Sequence, residues 1–148
     1  MDLIGKITVP GEEDFDEITA LWERSVRATH HFLKEEDIQY FKPLVRKQYL
    51  GMVKLYCIRD DDRIKGFLGL SDDKIEMLFI DPELRGKGIG GQLLNFAIQE
   101  LGYSQVDVNE QNTEALAFYK RYGFKVVGRT EKDATGKDYP ILNLVLNS

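Results

Sequence analysis

The chain has 148 residues, a length that suits one domain (residues 1–148) with a sizeable core. It is 43% hydrophobic and 30% charged, and its net charge of −5 argues against the basic surface that non-specific nucleic-acid binding needs, while being compatible with a cationic amine substrate. Cys57 is the only cysteine, no apolar run approaches the roughly 20 residues of a bilayer span, and Met1–Lys6 shows no basic-then-apolar leader; a disulfide framework is excluded, no metal site is expected, and a cytoplasmic protein without nucleic-acid or membrane partners is.

In chain order, Ile4 to Val9 alternates enough for a first strand, and Pro10-Gly11 breaks it. Glu12, Glu13 and Asp14 load acid at a helix start, and Phe15, Ile18, Leu21, Trp22 and Val26 supply its apolar stripe. A second helix is predicted from Glu35 to about Leu50, kinked or divided by Pro43 and ended by Gly51. Val53 to Arg59 and Arg63 to Leu70 read as a hairpin across the charged turn Asp60-Asp61-Asp62. Ile75 to Ile80 is apolar at nearly every position, as expected of a central strand buried on both faces. A glycine-rich loop follows, then a helical stripe of Leu93, Leu94, Ala97, Ile98 and Leu101. Gln105 to Asn109 alternates as a strand, and Asn112 to Tyr122 is helical, with Gly123 placed to cap it. Phe124 to Thr130 and Tyr139 to Leu146 form a final predicted hairpin. The order β-α-α-β-β-β-α-β-α-β-β counts seven strands and four helices, an α+β pattern around one mixed sheet.

The chemistry is concentrated between Lys74 and Ala97. Gly86, Gly88, Gly90 and Gly91 stand between the strand and the helix, with Arg85 and Lys87 among them. A glycine loop entering a helix N-terminus aims unpaired N–H groups at one spot and leaves room for a close approach, which suits a phosphate or diphosphate. The spacing does not fit the dinucleotide fingerprint G-x-G-x-x-G, and the phosphate loop G-x-x-x-x-G-K-[ST] is absent. What is present is R-x-x-G-x-G, formed by Arg85, Gly88 and Gly90. It resembles the acyl-CoA loop of the GNAT N-acetyltransferase superfamily. A second signature, N-x-x-A-x-x-F-Y-x-x-x-G-F from Asn112 through Ala115, Phe118-Tyr119 and Gly123-Phe124, resembles the same family, in the right order and at the right separation. Trp22, Arg24-Ser25-Val26, Ala28-Thr29-His30 and Tyr139 to Leu144 further resemble the small bacterial YjaB-type members.

The resemblance implies the GNAT fold, a largely antiparallel sheet layered between helices, and an acetyl-CoA-dependent transfer of acetyl to a primary amine by direct attack. It implies that the backbones of Leu78, Phe79 and Ile80 hold the pantetheine arm, with the N–H of Leu78 or its neighbour polarising the thioester carbonyl. It implies that Arg85, Gly86, Lys87, Gly88, Ile89 and Gly90 hold the diphosphate, that the Asn112 side chain bonds the arm, and that Tyr119 protonates the leaving thiolate. A phenol is a weaker acid than a thiol by about 1.5 units, so Tyr119 works only if the thiolate hydrogen-bonds it directly or the site lowers its pKa. A lysine acceptor needs a general base, for which Asp107, His30 and Glu76 are candidates. Asp107 occupies a place where some relatives carry a glutamate base, Glu76 is the one charge in the central strand, and His30 falls in the region that lines the acceptor site in relatives. Each has a plainer reading: Asp107 paired with a lysine, Glu76 at an exposed strand start, His30 capping a helix. Competing functions are an acyl-CoA-binding sensor without catalysis, a transferase for another acyl group, and an interaction protein with no ligand. Monomer and homodimer are both compatible with the sequence.

Overall fold

A computed structural model describes residues 5–60 and 63–146. Most of the predicted Asp60–Asp62 turn, and Ile4 of the first predicted strand, lie outside the described residues. The first strand, β1, is Lys6–Thr8. An acidic 3-10 turn, Glu12–Asp14, leads into α1, Phe15–Thr29, whose Ile18, Leu21, Trp22 and Val26 are buried at the spacing of one helix face. The second helix, α2, is Glu35–Leu44. Pro43 does not divide it: the helix runs on through a π-helical turn, Val45–Tyr49, and a last turn, Leu50–Met52. The proline has no N–H and crowds the turn before it, and the π-helical turn begins two residues after it.

Six further strands follow: β2, Lys54–Arg59; β3, Ile64–Leu70; β4, Ile75–Ile80; β5, Gln105–Asn109; β6, Phe124–Thr130; and β7, Ile141–Leu146. Helix α3, Ile89–Asn95, continues as a π-helical turn, Phe96–Glu100, and α4 is Thr113–Arg121. Gly123, at φ +98°, ends α4 in a backbone region that side chains resist. Among the described residues no helix is long and apolar enough to cross a membrane.

The strands form one sheet in the order β1-β2-β3-β4-β5-β7-β6. Every pairing is antiparallel except β4 with β5, which are parallel and share a single register pair, Ile75 with Val106. The sheet is therefore two half-sheets, β1 to β4 and β5-β7-β6, that part beyond Ile75. This corrects the expectation that β4 is buried on both faces: Ile75 and Met77 are buried, but Leu78, Phe79 and Ile80 are only half-buried, because β5 has left their side. A bulge at Glu76 sharpens the departure, since Gly69 pairs with Met77 while Leu70 pairs with Ile75.

Two cores sandwich the sheet. On one face Ile18, Leu21 and Trp22 of α1 pack with Phe67, Met77 and the buried thiol of Cys57. On the other, Leu93, Leu94 and Ala97 of α3 pack with Ile58, Leu68, Val106 and Leu144. Burying a side chain of this size contributes about 1.5–3 kcal/mol, so the two layers hold the half-sheets apart at a defined separation.

Candidate active site

The gap between β4 and β5 is the floor of a cleft of about 710 Å³, within the range of small-molecule sites. It gathers His30, Glu76, Leu78, Phe79, Ile80, Arg85, Gly86, Gly88, Ile89, Gly90, Asp107, Asn112 and Tyr119, residues drawn from four elements and the loops that adjoin them. Of the residues expected in the site, Lys87 alone is not among the lining; it is exposed.

The loop is anchored from below. Asp81, 1% exposed, accepts from the Glu83 N–H at 3.0 Å and from Arg24 Nη2 at 3.2 Å, and its own N–H donates to the Lys65 carbonyl at 2.9 Å. A carboxylate this buried needs such partners, and they fix where the 3-10 turn Pro82–Leu84 releases the chain. Gly86 and Gly88 then take φ of +78° and +89°. Among the described residues no backbone N–H from Gly86 to Gly90 donates to the protein, so several donors face one spot at the start of α3. Arg85 pairs with Glu114 in the first turn of α4, across the cleft mouth.

The β4 backbone supplies a second set of donors. The bond from the Asp81 N–H to Lys65 makes the alternating pairs Phe79–Phe67 and Met77–Gly69 the hydrogen-bonded ones. Leu78 and Ile80 therefore turn N–H and C=O away from β3, into the side that β5 has vacated. The Phe79 backbone is engaged with Phe67; its ring reaches the cleft instead.

Tyr119 is buried between Phe118 and Phe124, and its hydroxyl makes no hydrogen bond among the described residues. Burial pushes the phenol well above its usual pKa. The site therefore does not meet the condition of a lowered pKa under which the phenol would be a ready acid.

Asn112 and His30 lock together from the two half-sheets. The Asn112 Oδ1 caps α4 by accepting from the Ala115 N–H at 3.2 Å, so its Nδ2 faces His30 Nε2 at 3.4 Å. That contact requires an unprotonated Nε2, which puts the ring proton on Nδ1, donated to Thr29 Oγ1 at 2.7 Å; Thr29 in turn donates to the Ser25 carbonyl at 2.8 Å. Burial, and then the charge of His31, lowers the imidazole to about 4, so His30 is neutral at physiological pH.

Of the remaining acids, Asp107 is occupied: Lys74 Nζ lies 2.6 Å from one oxygen and Asn143 Nδ2 donates to the other at 2.8 Å. Glu76, on the bulge, is exposed, and its side chain makes no hydrogen bond or ion pair among the described residues. Sequence reasoning assigned no role to Ser25, Thr29 or Glu114. The i,i+4 spacing of Ser25 and Thr29 just before His30 was a usable signal; Glu114 carried none beyond its place two residues after Asn112.

A parted mixed sheet, with a glycine loop and unpaired strand amides opening into the gap, defines an acyl-CoA-dependent transferase. The chain belongs to the GNAT acetyltransferase family, whose model, described as an acetyltransferase (GNAT) domain, matches residues 25–138. It is 44% identical over 133 residues to peptidyl-lysine N-acetyltransferase YjaB of Escherichia coli K12, covering 89% of this chain and 90% of that protein. The solution structure of apo-form YjaB from E. coli superposes with a TM-score of 0.88 at 41% identity, covering 97% of each chain. The fold is shared with the PaiA N-acetyltransferase of Thermoplasma acidophilum, solved in complex with coenzyme A, at a TM-score of 0.75 and 21% identity over 93% of this chain and 96% of that one. The protein is an N-acetyltransferase, moving acetyl from CoA to an amine. The cleft suits that donor: cationic and N–H groups at one end, strand amides along the floor, and a phenol without a partner where the two meet.

Proposed function

We propose that the acceptor is a lysine ε-amine presented by a protein or peptide, with acetyl-CoA as donor and Glu76, Leu78 and Tyr119 as the reacting residues. One observation carries this: Glu76, Leu78 and Tyr119 line the same cleft, the Leu78 N–H is turned away from β3, and among the described residues neither the Glu76 carboxylate nor the Tyr119 hydroxyl has a hydrogen-bond partner. The name of the E. coli relative, peptidyl-lysine N-acetyltransferase, supports lysine.

At pH 7 a lysine amine is neutral about once in two thousand, a cost near 4.6 kcal/mol, so deprotonation must be assisted. Glu76 attracts the ammonium and takes its proton, directly or through a water. The amine nitrogen bonds to the thioester carbon, and the charge that gathers on oxygen meets the Leu78 N–H. The carbon–sulfur bond breaks, the nitrogen gives up its second proton to water as the amide forms, and the sulfur takes the Tyr119 hydrogen bond. Because the buried phenol is a reluctant acid, its proton passes only as full thiolate charge develops beside it. Arg85 and the N–H groups from Gly86 to Gly90 bind the diphosphate, and the Asn112 amide steadies the arm. His30 and Asp107 act as walls rather than bases, since each already holds protein partners.

The test is thiol release from acetyl-CoA with three acceptors: a lysine peptide blocked at its N-terminus, a lysine-free peptide with a free N-terminus, and spermine. Preference for the first is expected, and Glu76→Gln lowers its kcat/KM about a hundredfold, the scale of a lost general base, with acetyl-CoA affinity unchanged. Tight acetyl-CoA binding with no thiol release from any amine would replace this reading with that of a sensor.

A further inference from the structure

Side chains cross between the half-sheets on both faces of the cleft. On the face that carries α1 and α2, the crossing is buried and none of its residues takes part in the transfer derived above. Tyr139, just before β7, donates its hydroxyl to Asp37 in the first turn of α2, 102 residues away in sequence. Lys137 Nζ lies 2.9 Å from the other Asp37 oxygen, and the Lys34 N–H donates to the Tyr139 hydroxyl at 3.4 Å. Asp37 and Tyr139 are each 8% exposed, so the carboxylate is partnered on both oxygens where water reaches little of it.

The contact leads directly to the cleft. The Tyr139 ring lies 6.0 Å from that of Phe32, Phe32 lies 5.2 Å from His30, and His30 lies 6.3 Å from Phe79 of β4. Among the described residues the His30–Lys34 turn holds itself by one internal backbone hydrogen bond, Leu33 N–H to the His30 carbonyl at 2.9 Å. Its place is set by side chains, and the rings of His30 and Tyr139 flank its Phe32. The glycine loop and Arg85 enter from the start of α3 and His30 from the end of α1, so on the reading above the diphosphate and the His30 wall are served by different elements.

We propose that Asp37 and Tyr139 are positioning residues for the acceptor amine: their contact fastens the segment before β7 to the start of α2 and, through Phe32, holds His30 in the wall the amine passes. This rests on the reading of the cleft as an acetyl-transfer site, and it assigns to residues outside the cleft the control of acceptor affinity alone.

The experiment compares wild type, Tyr139→Phe, Asp37→Ala and Asp37→Asn in three readouts: KM for the blocked lysine peptide, calorimetric Kd for acetyl-CoA, and the imidazole ¹⁵N resonances of His30. Tyr139→Phe keeps the ring against Phe32 and removes only the hydroxyl. Expected are a rise in peptide KM of about tenfold, the scale of one hydrogen bond to a charged group, and displaced His30 resonances in Tyr139→Phe and Asp37→Ala, with acetyl-CoA Kd within about twofold. Asp37→Asn, whose amide oxygen still accepts from the phenol, stays close to wild type. Unmoved His30 resonances in Tyr139→Phe overturn the proposal, as does an acetyl-CoA Kd that worsens in step with the peptide KM. If wild type releases no thiol with the peptide, the lysine-acceptor reading fails, and the His30 resonances alone decide whether the contact positions that wall.

Discussion

The two faces of the cleft are built by different means. On the reading proposed above, the cofactor side, from Leu78 to Gly91, is one unbroken stretch whose functional groups are largely backbone N–H donors, offered by Gly86 to Gly90 and by the edge of β4. The acceptor wall is held by side chains distant in sequence: His30 by Asn112, whose amide also serves the arm, and the turn beyond His30 by Asp37 with Tyr139. Backbone donors depend on local conformation and tolerate any side chain that does not intrude; the acceptor wall depends on the fold bringing particular side chains together. Changes on the first side should disturb donor binding, and changes on the second should disturb acceptor handling.

The sharpest test of that division is a residue standing where the two sides meet. Tyr119→Phe should lower kcat about a hundredfold, the lower end of acid–base contributions, while acetyl-CoA Kd by calorimetry stays within about twofold. His30 probes the acceptor wall through stability. Its folded pKa of about 4 lies below the ordinary 6.5, so its contribution is complete above pH 6.5 and is lost as pH falls toward 4, where the unfolded chain takes the proton first. Urea midpoints at pH 7 and pH 4.5 should therefore converge between wild type and His30→Gln on acidification, by up to about 3 kcal/mol. Gly88→Val should weaken acetyl-CoA about tenfold or more, because a β-branched residue at φ +89° carries about 1–3 kcal/mol of strain and the loop relaxes to escape it. A parallel loss of peptide affinity measured with saturating acetyl-CoA would erase the distinction between the two sides. The smallest effect concerns the Arg85–Glu114 pair, which lies at the mouth and is half-exposed. Glu114→Gln should tighten acetyl-CoA by about two- to fivefold, the range of an exposed ion pair, because Arg85 no longer has to exchange a carboxylate for the diphosphate; weaker binding would mean that Glu114 positions Arg85 instead.

The same contrast explains what the sequence disclosed. Strand β4, the glycine loop and the Asn112-to-Phe124 signature were legible because their physics is local: apolar runs, backbone conformations reserved for glycine, and a side-chain cap three residues from its donor. Pro43 was expected to kink or divide its helix because propensity says so, whereas the helix runs on past it into a π-helical turn. Glu76 looked like the one charge in a buried strand; its exposure follows from a bulge that depends on the register with Gly69 and Leu70, which β4 alone does not encode. The gathering of His30, Glu76, Asp107 and Tyr119 into one cleft was legible only through resemblance. Their differing states were not, because Lys74, Asn143, Thr29 and Ser25 reach them only after folding.

The parting of β4 from β5 also bears on solubility. Rows of unpaired strand amides on a protein's outside invite other chains to add to the sheet and aggregate. The outer borders here are blunted: β1 has three residues, and β6 is bulged at Val127 and carries Lys125 and Arg129. The amides of Leu78 and Ile80 face instead into the cleft between the two half-sheets, whose lining includes residues of the ends of α1 and α4 rather than the outer border of the sheet. The fold keeps an open sheet edge for chemistry while withholding it from misassembly.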